Sequence, residues 1–296
     1  MRIVIAGGSG FIGEPLVRRL VARGDDVAVL SRNPARVQAG RGVAWDGRTQ
    51  GAWSEEVASA DAIVNLAGEN VGEGRWTDER KRRLIASRLD ATGAIVQALR
   101  NAPPRERVLV NASAVGYYGF DRDEELDEHG TRGGGFLAEL VDQWEAAARE
   151  AEPLARLVIP RFGVALAADG GALKKMMLPF KLGAGGPVGS GEQWMAWIDR
   201  DDAVRFIEWA IDNRSARGVY NVTAPQPVRN RDFSRALGRA LHRPAFLPAP
   251  GFALRAAFGQ MAEEVLLGGQ RAVPRRAERE GFRFDHPTLD ASLARM

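Results

Sequence analysis

The chain has 296 residues, 45% of them hydrophobic and 27% charged, which excludes disorder and leaves room for a large core, with no repeat or low-complexity tract. Its 41 basic and 38 acidic residues are interspersed and leave a formal net charge of only +3, too even for a nucleic-acid-binding stripe. With no cysteine, disulfides, thiolate nucleophiles and cysteine-ligated metals are excluded as well, and with only three scattered histidines no metal site is expected. No run approaches the roughly eighteen apolar residues of a membrane span, and the apolar start is broken by Gly7 and Gly8 too early for a signal-peptide core. The expectation is a cytoplasmic protein that engages neither membrane nor nucleic acid.

In chain order, the first element is the most telling. The apolar run Ile3-Val4-Ile5-Ala6 enters Gly7-Gly8-Ser9-Gly10-Phe11-Ile12-Gly13, and Leu16, Val17, Leu20 and Val21 then recur at helical spacing over residues 14–23. Strand, glycine turn and helix in this order are what a dinucleotide's pyrophosphate requires: a tight turn, no Cβ in its way, and unpaired N–H groups at the positive end of a helix dipole. The second strand, Val27 to Leu30, ends about twenty residues beyond the glycines, where an acidic side chain would hold the ribose of NAD. The chain reads Ser31-Arg32-Asn33-Pro34-Ala35-Arg36 instead, offering a hydroxyl and guanidinium groups to a 2′-phosphate and no carboxylate to repel it. The cofactor expected is therefore NADP(H), with Arg32 ahead of Arg36 as its contact.

Further on, Asp61 to Gly68 reads as a buried strand whose small end, Leu66-Ala67-Gly68, lets a cofactor approach. A helix over about 78–100 and a strand from Arg107 to Ala114 follow, the strand delivering Ala112 and Ser113 at its carboxyl end, outside which ligands of such sheets bind. The run Arg80-Lys81-Arg82-Arg83, flanked by acids, reads as a solvated helix face. A helix from Phe136 to Glu150 leads to a strand from Ala155 to Gly163, placing Arg161 and Gly163 at the cleft or at the strand's close. This βαβ alternation predicts a doubly wound α/β sheet of Rossmann type over residues 1–165. Residues 166–296, rich in Gly and Pro, form mainly a smaller substrate lobe, with about 190–225 returning to the sheet. There Asp201 and Asp202 are expected to cap a helix over 201–213, a strand runs from Gly218 to Val222, and a further helix lies near 251–267. Phe282, Phe284 and Leu289 are expected to dock the C-terminal segment.

These motifs together resemble an extended short-chain dehydrogenase/reductase. The segments Ser31-Arg32-Asn33-Pro34, Asn111 to Gly119 and Trp197-Ile198-Asp199, with Gly268 to Arg271 and Gly281 to Phe284, narrow the resemblance to an atypical, SDR39U1-like epimerase branch. The resemblance implies catalysis by Ser, Tyr and Lys, with the tyrosine four residues before the lysine so that one helical turn puts both on one face. This chain lacks that pair: four residues beyond Tyr117, Tyr118 and Tyr220 stand Asp121, Arg122 and Ala224. What the resemblance leaves is Ser113 as the superfamily serine, orienting a substrate oxygen, with Tyr118, and less so Tyr117, as acid/base and Lys174 or Lys175 as remote candidates. The alternative is that both tyrosines pack beneath the cofactor and Ser113 binds a backbone group. Two functions stay open: an NADP(H)-dependent oxidoreductase or epimerase on a small hydroxylated or carbonyl substrate, and a non-catalytic NADP(H)-binding module for a protein partner.

Overall fold

The computed structural model describes residues 1–295. Its first half consists of β1 (Arg2–Ala6), α1 (Gly13–Ala22), β2 (Asp26–Ser31), β3 (Arg41–Ala44), α2 (Trp53–Ser59), β4 (Ala62–Asn65), α3 (Asp78–Asn101), β5 (Val108–Asn111), the two-residue β6 (Ser113–Ala114), β7 (Asp121–Leu126) and α4 (Phe136–Arg149). Then come β8 (Arg156–Phe162), β9 (Val164–Ala167), α5 (Gly171–Lys181), β10 (Trp194–Met195), β11 (Trp197–Asp199), α6 (Arg200–Asp212), β12 (Gly218–Val222), β13 (Val228–Arg229) and α7 (Asn230–Ala240). The chain closes with α8 (Gly251–Phe258), β14 (Gly269–Ala272), α9 (Arg275–Arg279) and α10 (Leu289–Leu293).

The main sheet runs β3-β2-β1-β4-β5-β8-β12, parallel throughout, with β6 extending it beside β8. Its strands are apolar on both faces because helices cover both. The two-residue period of β1 shows the division: Ile3 and Ile5 pack with Leu16 and Leu20 of α1 and with Phe206 and Ile207 of α6, whereas Val4 and Ala6 pack with Trp53 of α2 and Ile95 and Leu99 of α3. A separate cluster around Trp197, Leu173, Phe180, Phe233 and Leu237 forms the core of the lobe. Among the described residues no helix is long and apolar enough to cross a membrane, and no group of side chains is arranged to hold a metal ion.

Three local expectations are corrected. The strand expected from Arg107 to Ala114 breaks at Ala112 into β5 and β6. The helix near 251–267 stops at Phe258, because Gly259 takes a φ of 58°, and resumes as a π-helical turn over Ala262–Leu267. The cap of α6 is Asp199, whose side chain accepts from Asp201 N at 2.8 Å, not Asp201 or Asp202. Asp202 is fully buried and accepts instead from the backbone N–H groups of Asp285 and His286, at 2.8 and 2.9 Å, tying the C-terminal segment to the sheet's helical layer.

Candidate cofactor and substrate cleft

The glycine turn sits between the carboxyl ends of β2 and β4, the two neighbours of β1, where the strand order reverses. Gly7 has a φ of +77°, and a Cβ there would lie 2.7 Å from the Leu66 carbonyl; at Gly13 it would lie 2.2 Å from the Gly7 oxygen. Those two glycines are demanded by the turn itself. Gly10 is different: its Cβ would meet only the Gly7 oxygen, at 3.1 Å, and its outward side is open. No side chain caps the start of α1, which leaves the N–H groups around Phe11, Ile12 and Gly13 available to an anion. The residues present therefore fit a dinucleotide's phosphates.

Gly8, Ser9 and Arg36 share a hollow of about 100 Å³ beside this turn, and the exposed Arg32 stands at the end of β2 with Ser31, whose Oγ accepts from Asn33 N at 3.1 Å. No carboxylate occurs from Ser31 to Arg41. Phe11 is an anchor as much as a wall: Gly170 and Gly171 lie against its ring, and Arg200 stacks over it at 4.9 Å. On the other side of β1, Ala67 and Ala112 are held by a buried amide network. Asn65 donates to Asn111 Oδ1 at 2.7 Å and to Thr92 Oγ1 at 3.1 Å, and accepts from Ala67 N at 3.2 Å.

Beneath the carboxyl ends of β5 and β8 lies the polar group that the sequence pointed to, in an arrangement different from the expected one. Ser113 is 3% exposed and donates to Glu145 Oε1 at 2.6 Å. Arg161, equally buried, clasps the same carboxylate through Nε and Nη2 at 2.7 and 2.9 Å, and Arg149 adds a further donor at 2.9 Å. Burial works against both charges, but the mutual hydrogen bonds and charge attraction prevail, holding the Glu145 carboxyl below and the Arg161 guanidinium above their ordinary values. Arg161 thus lines no cofactor cleft; it is spent on Glu145 and on the tyrosines, stacking 3.5 Å from the Tyr117 ring centroid. Tyr118 is fully buried. Its hydroxyl lies 2.8 Å from both the Asp127 carbonyl and Asn221 Oδ1 and accepts from Arg161 Nη1 at 3.0 Å. Burial, only partly offset by Arg161, pushes the phenol up to about 12. A phenol so enclosed has neither access to substrate nor a pKa suited to proton transfer near neutrality, so the expected acid/base role is at odds with its position. Lys174 and Lys175 lie on the exposed side of α5, Lys175 pairing with Glu73 at 3.9 Å.

Above that floor opens a cleft of about 300 Å³ between the sheet's end and the lobe. The helix expected to carry the Tyr/Lys pair turns Leu137, Leu140, Val141 and Trp144 into it, two apolar pairs at four-residue spacing where the superfamily places a phenol and an ammonium. Met195, Phe162 and Leu266 continue the apolar wall. Sequence reasoning missed the polar residues here. Glu264 accepts from Phe136 N and Leu137 N, both at 2.9 Å, and so caps α4 from the C-terminal segment. Arg88 packs over the Trp144 ring at 5.1 Å and donates to the Leu84 and Glu69 carbonyls. Arg88 and Glu145 each carried a signal: both are charged residues in register with the apolar stripe of their helix, Leu84-Arg88-Ala91-Ile95 and Val141-Glu145-Ala148.

Residues 3–223 match the NAD dependent epimerase/dehydratase family, and residues 249–296 a domain of unknown function (DUF1731). The chain belongs to the NAD dependent epimerase/dehydratase family. Within it, the epimerase family protein Mb2239 of Mycobacterium bovis is 41% identical over 98% of this chain and 96% of its own. The crystal structure of human epimerase family protein SDR39U1 with NADPH superposes with a TM-score of 0.90 at 37% identity, covering 100% of this chain and 98% of the human one. Thermus thermophilus UDP-glucose 4-epimerase in complex with NAD, at 18% identity and a TM-score of 0.77 over 99% of this chain and 97% of that one, shares the fold. This epimerase-family member is atypical in the plain structural sense that its cleft presents Leu and Val where a proton-transfer pair is expected.

Proposed function

We propose that the chain binds NADP(H) along the glycine turn and acts, in the apolar cleft beside it, as an oxidoreductase or epimerase on a small hydroxyl or carbonyl compound. The observation that carries the cofactor reading is the uncapped start of α1 next to a β2 end bearing Ser31, Arg32 and Arg36 with no carboxylate. The human relative crystallised with NADPH supports it. The backbone of Gly7 to Gly13 would hold the pyrophosphate, Ser31 and Arg32 the 2′-phosphate, and Leu66, Ala67, Gly68 and Ala112 the floor under the remainder. Bound there, the nicotinamide supplies or accepts a hydride. The wall of Leu137, Val141 and Trp144 excludes water from the reacting end.

One observation favours a second reading. Among the described residues lining the cleft there is no Tyr, Lys, His or Cys, and the one carboxylate, Glu264, is committed to the start of α4. A site without a free acid/base group also suits a non-catalytic NADP(H)-binding module that presents its cofactor state to a protein partner. Calorimetric titration with NADPH and NADH tests the cofactor: wild type prefers NADPH, and Arg32→Ala loses about tenfold of that preference. A screen for NADPH oxidation over carbonyl compounds separates the two readings, since the pure binder gives no turnover with any of them.

A further inference from the structure

The cleft of about 300 Å³ is bounded by polar residues whose hydrogen bonds are already spent inside the protein. Its lining includes two ionised side chains among the described residues, Arg88 and Glu264, of opposite sign. Arg88 gives Nη1 and Nη2 to the Leu84 and Glu69 carbonyls, at 3.1 and 3.0 Å, and its Nε has next to no accessible surface. Glu264 holds the N–H groups of Phe136 and Leu137, both at 2.9 Å. Gln193 donates through Nε2 to the Val188 and Leu266 carbonyls, at 3.0 and 2.8 Å, with its Oε1 buried. Asn230 Oδ1 accepts from Val188 N at 2.8 Å, and the Trp194 indole N–H donates to Asp123 at 2.6 Å. Between these groups the wall is hydrocarbon, from Leu137, Leu140, Val141, Met195 and Leu266.

Such a wall selects by what it withholds. A carboxylate, a phosphate or a sugar's row of hydroxyls would lose its water on entering and find neither counter-ion nor enough free hydrogen-bonding groups in return. The two guanidinium groups stacked on Trp194, those of Arg229 and Arg271 at 4.0 and 5.0 Å from its ring, are themselves paired, with Asp123 at 2.6 Å and Glu125 at 3.5 Å. A nucleoside diphosphate therefore meets no uncompensated cation there either. An apolar body loses little on leaving water and gains by covering the hydrocarbon wall.

We propose that this cleft takes an uncharged, largely apolar alcohol or carbonyl compound, of the kind exemplified by a medium-chain ketone, and rejects its carboxylated analogues and nucleoside-diphosphate sugars. The inference rests on the reading of the cleft as the substrate site beside the cofactor, and it adds the substrate's chemical class. Leu137, on the cleft side of α4, is a specificity-determining residue in it.

The test uses the full-length protein, with and without NADP⁺, titrated calorimetrically with 2-octanone, with the shorter 2-pentanone, with 7-oxooctanoate, which replaces the far methyl group of 2-octanone by a carboxylate, and with UDP-glucose. Wild type binds 2-octanone at least about tenfold more tightly than either 2-pentanone or 7-oxooctanoate, and UDP-glucose does not bind. Leu137→Lys sets a cation in the apolar wall and closes or reverses the gap between ketone and oxo acid. Leu137→Met, similar in volume, keeps that gap, and NADPH affinity unchanged within about twofold shows that both variants are folded. Oxo acid bound as well as ketone, affinity indifferent to chain length, UDP-glucose bound in preference, or no ketone bound at all overturns the proposal. So does a folded Leu137→Lys variant with the wild-type gap, which would place the ketone on another surface. If Leu137→Lys does not fold, the length and charge series on wild type still decides. Failure of wild type to bind NADPH is a separate result: it removes the cofactor reading, while the same series on the cofactor-free protein continues to test this one.

Discussion

Glu145 and Arg161 form a fixed, buried ion pair beneath the cleft. Both side chains are almost wholly removed from water, and each is satisfied by the other, by Ser113, by Arg149 and by the Tyr118 hydroxyl. Such a pair adds little net stability over a well-packed apolar pair, but stranding one charge is costly. Glu145→Gln therefore lowers unfolding free energy by about 3–5 kcal/mol in urea titrations at neutral pH. The sign of its pH dependence follows from the depressed carboxyl: the contribution is complete above the unfolded value of 4.5 and is lost as pH falls through the lower folded value. The gap between wild type and Glu145→Gln should narrow only in that acid window; a gap that shrinks on the alkaline side contradicts the assignment. Tyr118→Phe separates structure from chemistry. It removes a buried hydroxyl with three partners and costs about 1–3 kcal/mol, while NADPH affinity and any turnover found in the carbonyl screen stay within twofold or so of wild type.

At the scale of elements, α4 is the piece that departs from the superfamily. It presents Leu137 and Val141 to the cleft, and its first N–H groups are satisfied by Glu264 because its own N-cap residue is Gly135, which has no side chain to do so. Glu264→Ala should lower the melting temperature by an amount matching about 1–2 kcal/mol and speed amide exchange at Phe136 and Leu137; unchanged exchange there would contradict the capping role. The same helix shows what the sequence discloses. Its bounds, like those of α1, α3 and α6, agree to within one or two residues with the apolar period, since burial of one face produces both pattern and helix. The glycine turn was legible because φ and close approach restrict those positions to glycine. β7 was not: Asp-Arg-Asp-Glu-Glu-Leu has no apolar alternation, and it becomes a strand only by pairing with the distant β14. Nor was the direction of Ser113. What takes up its hydroxyl is Glu145, 32 residues further on in α4, which no local pattern discloses. Side chains chosen by chemistry alone, as Tyr118 was, are the least legible, because access depends on what covers them.

Across the whole molecule, the last fifty or so residues are fastened at several points. Phe282 packs edge-on against Phe206, with ring centroids 5.3 Å apart; Asp202 holds the backbone of Asp285 and His286; and Ser292 donates to the α6 cap, Asp199, at 2.7 Å. Asp202→Ala leaves two N–H groups without their buried acceptor and should cost about 2–3 kcal/mol, with protease cleavage near residues 283–287 preceding cleavage elsewhere. Cleavage that starts in another segment would show that the tail is held by its aromatic contacts alone. The C-terminal segment is also where Glu264, Val265 and Leu266 reside, while Arg88, Leu137 and Val141 belong to the part of the chain matched by the epimerase family. The cleft is thus jointly owned: one family segment brings the cation and the helix, the other brings the facing wall and the group that keeps that helix wound. Exchanging residues 249–296 between relatives should move ligand preference along with them while leaving the nucleotide half untouched, which makes this short segment a natural unit of inheritance for specificity.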